Sequence, residues 1–213
     1  MNLLSDLVSS KIFVGQKRAP TFDQFCLSDL AAYYETYLCS RNFTYLCRDE
    51  IGDSCVLTIS FHKGNFAHLT GIDKCVPRKY GALDIFENIE IGKWDKKEIK
   101  KMDASKKNMH FKNAKKRMRY LATIYDILQD PKVIRFNPDL VVPSTYVKSK
   151  YMITETINST YVHLGVDVPR EHYEISEDME LLFPRTLLIE EKEKFMQGQK
   201  RYEVEKVIIE SKG

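Results

Sequence analysis

SKYMITETINSTYVHL, residues 149–164, holds two runs typical of β-strands, at 149–156 and 160–164. Residues 157–159 separate them and include Asn158 and Ser159, two turn formers, so the segment predicts a β-hairpin. Outward from this hairpin the same period of two recurs. The further predicted strands are Ser54–Ile59, Val133–Phe136, Tyr173–Ile175, Met179–Phe183 and Tyr202–Ile209. We therefore expect four to six strands, mostly antiparallel and largely after residue 130.

Before residue 130, apolar residues recur at spacings of three and four, which predicts helices. Thr21 with Gln24 forms a weak capping box at the start of the first. The segment 66–72 is predicted as a short strand or a helical turn. The predicted helices are Thr21–Asp49, Tyr80–Ile91, Asp95–Met102 and Asn108–Gln129. The class is thus α+β, with N-terminal helices leading into a mainly antiparallel sheet.

The length of 213 residues predicts a single domain over 1–213, with 1–20 as an N-terminal arm and 93–129 as a basic helical segment. No window approaches 18 uncharged apolar residues, so we expect no membrane span and no membrane partner. The first residues lack the basic region of a secretory signal. Five cysteines without a CxxC pair fit buried thiols in a reducing compartment, so we expect a cytoplasmic protein.

Charge is distributed unevenly along the chain. Net charge is +3, yet residues 93–119 hold 12 Lys and Arg against 3 acids. Such an asymmetry favours a basic surface for a polyanion, although lysine-rich helices are as often only solvated. The nucleic-acid-binding candidates are Lys112, Lys115, Lys116 and Arg119.

Familiar enzyme signatures are absent from the sequence. It holds no GxxxxGK[ST], GxGxxG, HExxH or GxSxG. Its five histidines lack the spacing of metal ligands, so we expect neither a metal nor a cofactor. The chemistry left open is metal-free acid/base catalysis. Cleavage of RNA by its own 2′-hydroxyl suits this inventory, because it needs only proton transfer and cations or donors on the phosphate.

Two segments carry a resemblance to a known family. SFHKGNFAHLTGI, residues 60–72, is similar to an F-x-x-x-x-F-x-H-L-T-G stretch. FPRT at 183–186 and GQ at 198–199, followed by a strand-like run to 209, are similar to that family's closing elements. From about residue 25 to 209 the chain resembles a phage-associated branch of the barnase–EndoU–colicin–RelE-like nuclease superfamily.

This resemblance implies a barnase/RelE-like fold and a metal-independent, toxin-like endoribonuclease, phage- or prophage-borne. Its matching positions make His68, Arg185, Thr186 and Gln199 the candidate catalytic residues. We expect His68 to transfer the proton and Arg185 to hold the phosphate, with the other two as donors. Thr70 with Gly71 is expected to end a strand, with Gly71 at a turn of positive φ, in preference to a catalytic role.

Each candidate also has a structural alternative. His68 could be a core histidine, and Arg185 could pair with a carboxylate such as Glu180 instead of a phosphate. His163 could supply a second acid/base group, although packing within the sheet is favoured. The expected partner is RNA, either tRNA or mRNA, with a host or inhibitor protein as a further one. The alternative function is a non-catalytic, phage-encoded interaction or inhibitor protein that reuses the fold.

Overall fold

The computed structural model describes residues 13–15, 18–169 and 179–212. It divides into two compact units. The helical unit contains the residues up to Ser40 together with His62–Asp126, and the barrel unit contains Arg41–Phe61 and the residues from Ile127 onwards. A single domain over 1–213 remains a prediction. Most of the predicted arm and the predicted strand Tyr173–Ile175 lie outside the described residues.

Most predicted helices are present. A 3-10 turn at Phe22–Gln24 and a π-helix at Tyr34–Cys39 flank the first α-helix. The α-helices are α1 Leu27–Tyr33, α2 Asn65–Thr70, α3 Ala82–Glu90, α4 Lys96–Met102, α5 Met109–Leu121 and α6 Ile124–Gln129. The long helix predicted for 108–129 is therefore two helices. Thr123 interrupts it, and its hydroxyl donates to the Tyr120 carbonyl.

Short polar side chains begin several of these helices. Gln24 Oε1 accepts from the Thr21 N–H at 2.6 Å, which confirms this part of the predicted box. Asp95 Oδ1 accepts from the N–H groups of Lys97 and Glu98. Such acceptors satisfy N–H groups that have no partner within the helix.

The helix predicted over Thr21–Asp49 is wrong in its second half. Residues Arg41–Asp49 form strand β1, in which alternate side chains are buried. Of these, Phe43, Tyr45 and Cys47 are each at most 1% exposed. This spacing of two places them on one face of a strand, whereas a helix would spread them around its axis. Aromatic residues also favour a pleated, half-buried surface.

The barrel unit is a closed sheet. Within the described residues its strands are β1 Arg41–Asp49, β2 Ser54–Ser60, β3 Lys132–Arg135, β4 Tyr151–Ile157, β5 Thr160–Asp167, β6 Met179–Glu190 and β7 Lys200–Ser211. Their order is β1-β2-β6-β5-β4-β3-β7, and β7 pairs with β1 to close the barrel. The pair β2–β6 is parallel and the others are antiparallel.

The α+β class is confirmed, but the arrangement differs from the expected one. The mainly antiparallel sheet is a closed, mixed barrel of seven described strands, not four to six. The helices do not simply lead into it, because β1 and β2 precede α2–α6 along the chain. Closure leaves no free sheet edge, which removes a site of unwanted strand pairing.

The predicted hairpin is confirmed as β4–β5. Asn158 and Ser159 form its two-residue loop with φ of 49° and 61°, and Ile157 pairs with Thr160 beside it. Positive φ at both positions is the geometry of a tight hairpin turn, and Asn tolerates it better than most residues. The turn fixes the register in which His163 faces Thr154.

Among the described residues, no helix combines the length and apolar character needed to cross a bilayer.

Candidate functional site

His68 lies in the last turn of α2, in the helical unit. The flanking residues Ala67 and Leu69 are fully buried and anchor the helix. The His68 side chain points the other way, and 58% of it is exposed. It is therefore not a core histidine. A short helix held by a buried face presents this imidazole to solvent.

Asp73 holds the imidazole in place. Gly71 ends α2 with a φ of 72°, a conformation that favours glycine, and the 3-10 turn Ile72–Lys74 folds back toward the helix. His68 Nδ1 lies 2.8 Å from Asp73 Oδ2, and only 13% of the Asp73 side chain is exposed. With Nδ1 donating to the carboxylate, Nε2 keeps the lone pair that a general base needs.

The ionised form of Asp73 is favoured by this arrangement. Burial alone would raise the pKa of Asp73, but the hydrogen bond from His68 and the charges of His68 and Lys74 hold it below its ordinary value. Lys74 Nζ lies 3.2 Å from Oδ2. The second oxygen, Oδ1, is buried without a partner among the described residues. Asp73 is thus a charged group that orients His68.

Arg117 adds a cation next to this pair. It comes from α5, and its Nη1 donates to the His68 carbonyl at 3.4 Å. The guanidinium lies against Gly71, where a Cβ would be 3.4 Å from both Arg117 Cδ and Nη1. Burial lowers the pKa of Arg117, and the charge of Asp73 opposes that effect. We call His68, Asp73 and Arg117 the His68 cluster.

Sequence reasoning identified one member of the His68 cluster. Asp73 and Arg117 were missed. Asp73 had a signal in the sequence, because Gly71, three residues after His68, marks the end of a helix, where the chain can turn back and bring Asp73 to the imidazole. Arg117 lies inside the basic segment, where the sequence alone does not distinguish it from the neighbouring Lys and Arg residues.

The four basic candidates lie on α5, whose apolar face, formed by Ala114, Met118 and Leu121, is buried. Their environments differ, so they are not equivalent as contacts for a polyanion.

Lys112 is exposed. Lys115 is also exposed, but its Nζ lies 4.9 Å from the centroid of the Phe22 ring. Lys116 is half-buried. Arg119 has a structural contact, because its Nε donates to the Pro20 carbonyl at 2.7 Å. The geometry therefore favours the three lysines over Arg119 for contacting a ligand.

Arg185 and Thr186 belong to the barrel unit, on β6. The Arg185 side chain is 46% exposed, and its Nε lies 4.0 Å from Asp167 Oδ2 on β5. The structural alternative, pairing of Arg185 with a carboxylate, is therefore present, but the partner is Asp167. Glu180, the expected example, pairs instead with Lys150 at 2.7 Å and accepts from the Tyr151 hydroxyl. Arg185 is thus accessible and only weakly paired.

Thr186 stands opposite Gly165 on β5. A Cβ at Gly165 would come within 2.9 Å of Thr186 Cγ2, so the threonine methyl fills the space above the glycine. A shared site of His68 with these two barrel residues remains a prediction.

Gln199 is 6% exposed, and both ends of its side-chain amide are hydrogen-bonded to the backbone of Asn137. Its Oε1 accepts from the Asn137 N–H at 2.7 Å and its Nε2 donates to the Asn137 carbonyl at 3.0 Å. The side chain therefore ties the end of β3 to the start of β7. Its predicted role as a donor in catalysis is untested.

His163 is buried on β5, and burial lowers its pKa to about 4. Packing in the sheet, the favoured alternative at this position, agrees with this placement.

Within residues 13–15, 18–169 and 179–212, no group of three or more His, Cys, Asp or Glu side chains is arranged to hold a metal ion.

The fold and the His68 cluster define a class: an α+β protein with an accessible histidine, oriented by a carboxylate and flanked by an arginine. The chain belongs to the phage-Barnase-EndoU-ColicinE5/D-RelE like nuclease4 family, whose sequence model matches residues 27–208. This match covers nearly all of the chain and both units, and it confirms the resemblance. No curated protein and no solved structure matches the chain.

Proposed function

We propose that this protein is a metal-independent endoribonuclease that cleaves RNA through the 2′-hydroxyl of the substrate. Membership of a nuclease family supports a nucleic-acid substrate. The observation that carries the proposal is the 2.8 Å contact between His68 Nδ1 and Asp73 Oδ2 beneath an exposed imidazole. That geometry supplies a general base without a metal ion.

In the proposed reaction, Nε2 of His68 takes the proton of the 2′-hydroxyl. The 2′-oxygen bonds to phosphorus, the bond from phosphorus to the 5′-oxygen breaks, and that oxygen takes up a proton from water as it leaves. The products are a 2′,3′-cyclic phosphate and a 5′-hydroxyl. Asp73 stabilises the imidazolium formed in the first step. DNA lacks the nucleophile, so this chemistry selects RNA.

Cations would stabilise the charge that develops on the phosphate. Arg117 lies beside His68 and is the first candidate for this role. Arg185 in the barrel unit is the second, because it is exposed and weakly paired. Lys112, Lys115 and Lys116 would bind neighbouring phosphates along the strand. A phage-borne, toxin-like role in the cytoplasm, acting on tRNA or mRNA, completes the proposal.

The test is incubation of the purified protein with total tRNA and with mRNA in the presence of EDTA, followed by analysis of the product ends. We expect cleavage with 2′,3′-cyclic phosphate ends, and we expect His68→Ala to abolish most of it. Activity that disappears on chelation and returns with Mg²⁺ would contradict the mechanism. An intact, folded protein that cleaves neither RNA would instead favour a non-catalytic interaction protein.

A further inference from the structure

A pocket of about 230 Å³ opens on the barrel unit, and its lining includes none of His68, Arg185, Thr186 and Gln199. Residues of β3, β4, β5 and β7 and of the loop before β7 surround it. They include Lys132, Glu155, Tyr161, His163, Glu193 and Arg201. The volume lies below the range of about 300–1,000 Å³ that drug-sized ligands occupy, so the pocket fits a smaller molecule.

His163 lines this pocket with its hydrogen-bonding capacity unused. The residue is 0% exposed, and neither Nδ1 nor Nε2 has a partner among the described residues. Buried polar atoms are nearly always hydrogen-bonded, so two unpaired nitrogens on one ring indicate a missing partner. Burial lowers the pKa of His163 to about 4, so the ring is neutral at pH 7 and offers one donor and one acceptor.

The walls next to His163 are flat and aromatic. The Tyr161 ring is parallel to the imidazole within 3°, with centroids 6.4 Å apart. Phe195 is not part of the pocket lining, but its ring packs edge-on against the imidazole, with centroids 5.5 Å apart. Aromatic faces of this kind favour planar heteroaromatic ligands, which stack on them.

The charges around the pocket balance. The lining holds two cations and two carboxylates: Lys132 and Glu155, which bond to each other at 2.9 Å, and Arg201 and Glu193. A site for a phosphate or a carboxylate would instead carry an excess of cations. The lining therefore favours a ligand whose bound part is neutral, flat and able both to donate and to accept hydrogen bonds.

We propose that this pocket binds a single nucleobase, with the imidazole of His163 hydrogen-bonded to the edge of the base. The choice of a nucleobase rests on the proposed function, since a nuclease meets this ligand on its substrate. The base has two sources, a free nucleoside or an unpaired position of single-stranded RNA, and both present the same edge and face to the pocket.

Binding can be measured by NMR on protein labelled with ¹⁵N in its histidine rings. The four nucleosides form one arm of the experiment, and short 2′-O-methyl oligonucleotides, which lack the nucleophile and stay intact, form the other. We expect saturable shifts of the His163 ring nitrogens with at least one base. Shifts with nucleosides identify a free ligand, and shifts with oligonucleotides alone identify a base held in RNA.

The variant His163→Phe keeps a planar ring and removes both nitrogens. We expect it to bind about tenfold more weakly or worse, as the loss of one buried hydrogen bond implies. Its melting temperature should be equal or higher, because two unsatisfied polar atoms are gone. His62→Phe, which removes an exposed imidazole outside the barrel, is the control and should bind normally. If His163→Phe does not fold, Tyr161→Leu removes the aromatic wall instead.

The proposal is overturned if no base shifts the His163 resonances, or if His163→Phe and Tyr161→Leu bind as tightly as the wild type. Neither result depends on cleavage, because the oligonucleotides cannot react. A protein that binds bases through His163 but cleaves no RNA would refute the proposed nuclease activity and leave the pocket assignment intact.

Discussion

His68 and Asp73 are five residues apart and meet across the turn at Gly71, with Nδ1 2.8 Å from Oδ2. The contact is local, since it depends on one helix end and one 3-10 turn. The imidazole above it is accessible and the carboxylate below it is largely buried. This division suits proton transfer, because the histidine can reach a substrate while its orienting partner stays fixed.

Replacement of His68 by alanine should remove the base and preserve the fold. We expect cleavage to fall roughly 10²–10⁴-fold, the usual contribution of a positioned acid/base group. The melting temperature should change little, because the side chain is mostly exposed and leaves no core cavity. Cleavage rates and melting curves on the same samples check both statements, with His62→Ala as the matched control. A variant that melts early but cleaves normally would refute the assignment.

Asp73 is a positioning residue, and Asp73→Asn tests it. An amide can donate to Nδ1 and would then place the proton on Nε2, so the imidazole could no longer act as a base. We expect kcat to fall roughly 10²–10⁴-fold with KM nearly unchanged. Lys74→Ala, which removes an exposed partner of the same carboxylate, should have a small effect. A rise in KM with kcat unchanged would instead point to a role in substrate binding.

The same variant should change the pH dependence of stability. Burial opposes ionisation of Asp73, but the hydrogen bond from His68 together with the charges of His68 and Lys74 outweighs it, so the folded pKa is depressed. Its contribution is then complete above the unfolded value of about 3.9 and is lost as pH falls through the folded pKa. The difference in unfolding free energy between wild type and Asp73→Asn should be constant near neutral pH and should shrink below pH ~4. Urea titrations at several pH values measure it.

The lysines of α5 should set the salt dependence of RNA binding. With Lys112, Lys115 and Lys116 all changed to Glu, the slope of log K against log salt should flatten. The magnitude of the slope should fall by about 0.7 for each phosphate contact that is lost on a single strand. Arg119 is left intact, because it holds the Pro20 carbonyl. Filter binding at several salt concentrations provides the measurement.

A matched triple variant on the barrel unit controls for net charge. Its positions are exposed lysines, namely Lys148, Lys192 and Lys206. If both triple variants flatten the slope equally, the effect is one of overall charge and α5 has no special part in binding.

Arg185→Ala should reduce cleavage with little change in stability. Its contact with Asp167 is 4.0 Å long and exposed, and pairs of this kind contribute only about 0–1 kcal/mol. A cation that holds the reacting phosphate is worth roughly 10²–10³ in rate. Arg48→Ala, which removes another exposed, paired arginine of the barrel unit, is the control. Equal activity of the two variants would remove Arg185 from the proposed site.

Gln199→Ala should destabilise the protein. Two hydrogen bonds to the backbone of Asn137 are lost in a buried position, so we expect a cost of about 1–3 kcal/mol in unfolding free energy. Gln197→Ala, an exposed neighbour of the same type, should cost almost nothing. A Gln199→Ala protein that keeps its stability but loses cleavage would favour the catalytic role instead.

Local patterns in the sequence were enough for elements whose stability is local. The hairpin β4–β5 follows from two alternating runs and a two-residue turn, and α3 and α4 follow from their apolar spacing. His68 was found because its surrounding motif is short and contiguous. The exposure of its ring follows from the burial of Ala67 and Leu69 on the other face of α2.

Tertiary contacts decided the rest. Arg41–Asp49 has enough apolar residues for a helix, and only pairing with β2 and β7 makes it a strand. Barrel closure joins residues that are more than 150 positions apart, as in the pairing of Asn42 with Glu210, and no local pattern encodes such a contact. Arg117 reaches His68 for the same reason, since packing of α5 against α2 places the two together. Composition and periodicity act within a few residues, whereas strand order and side-chain clusters arise only when distant segments share one core.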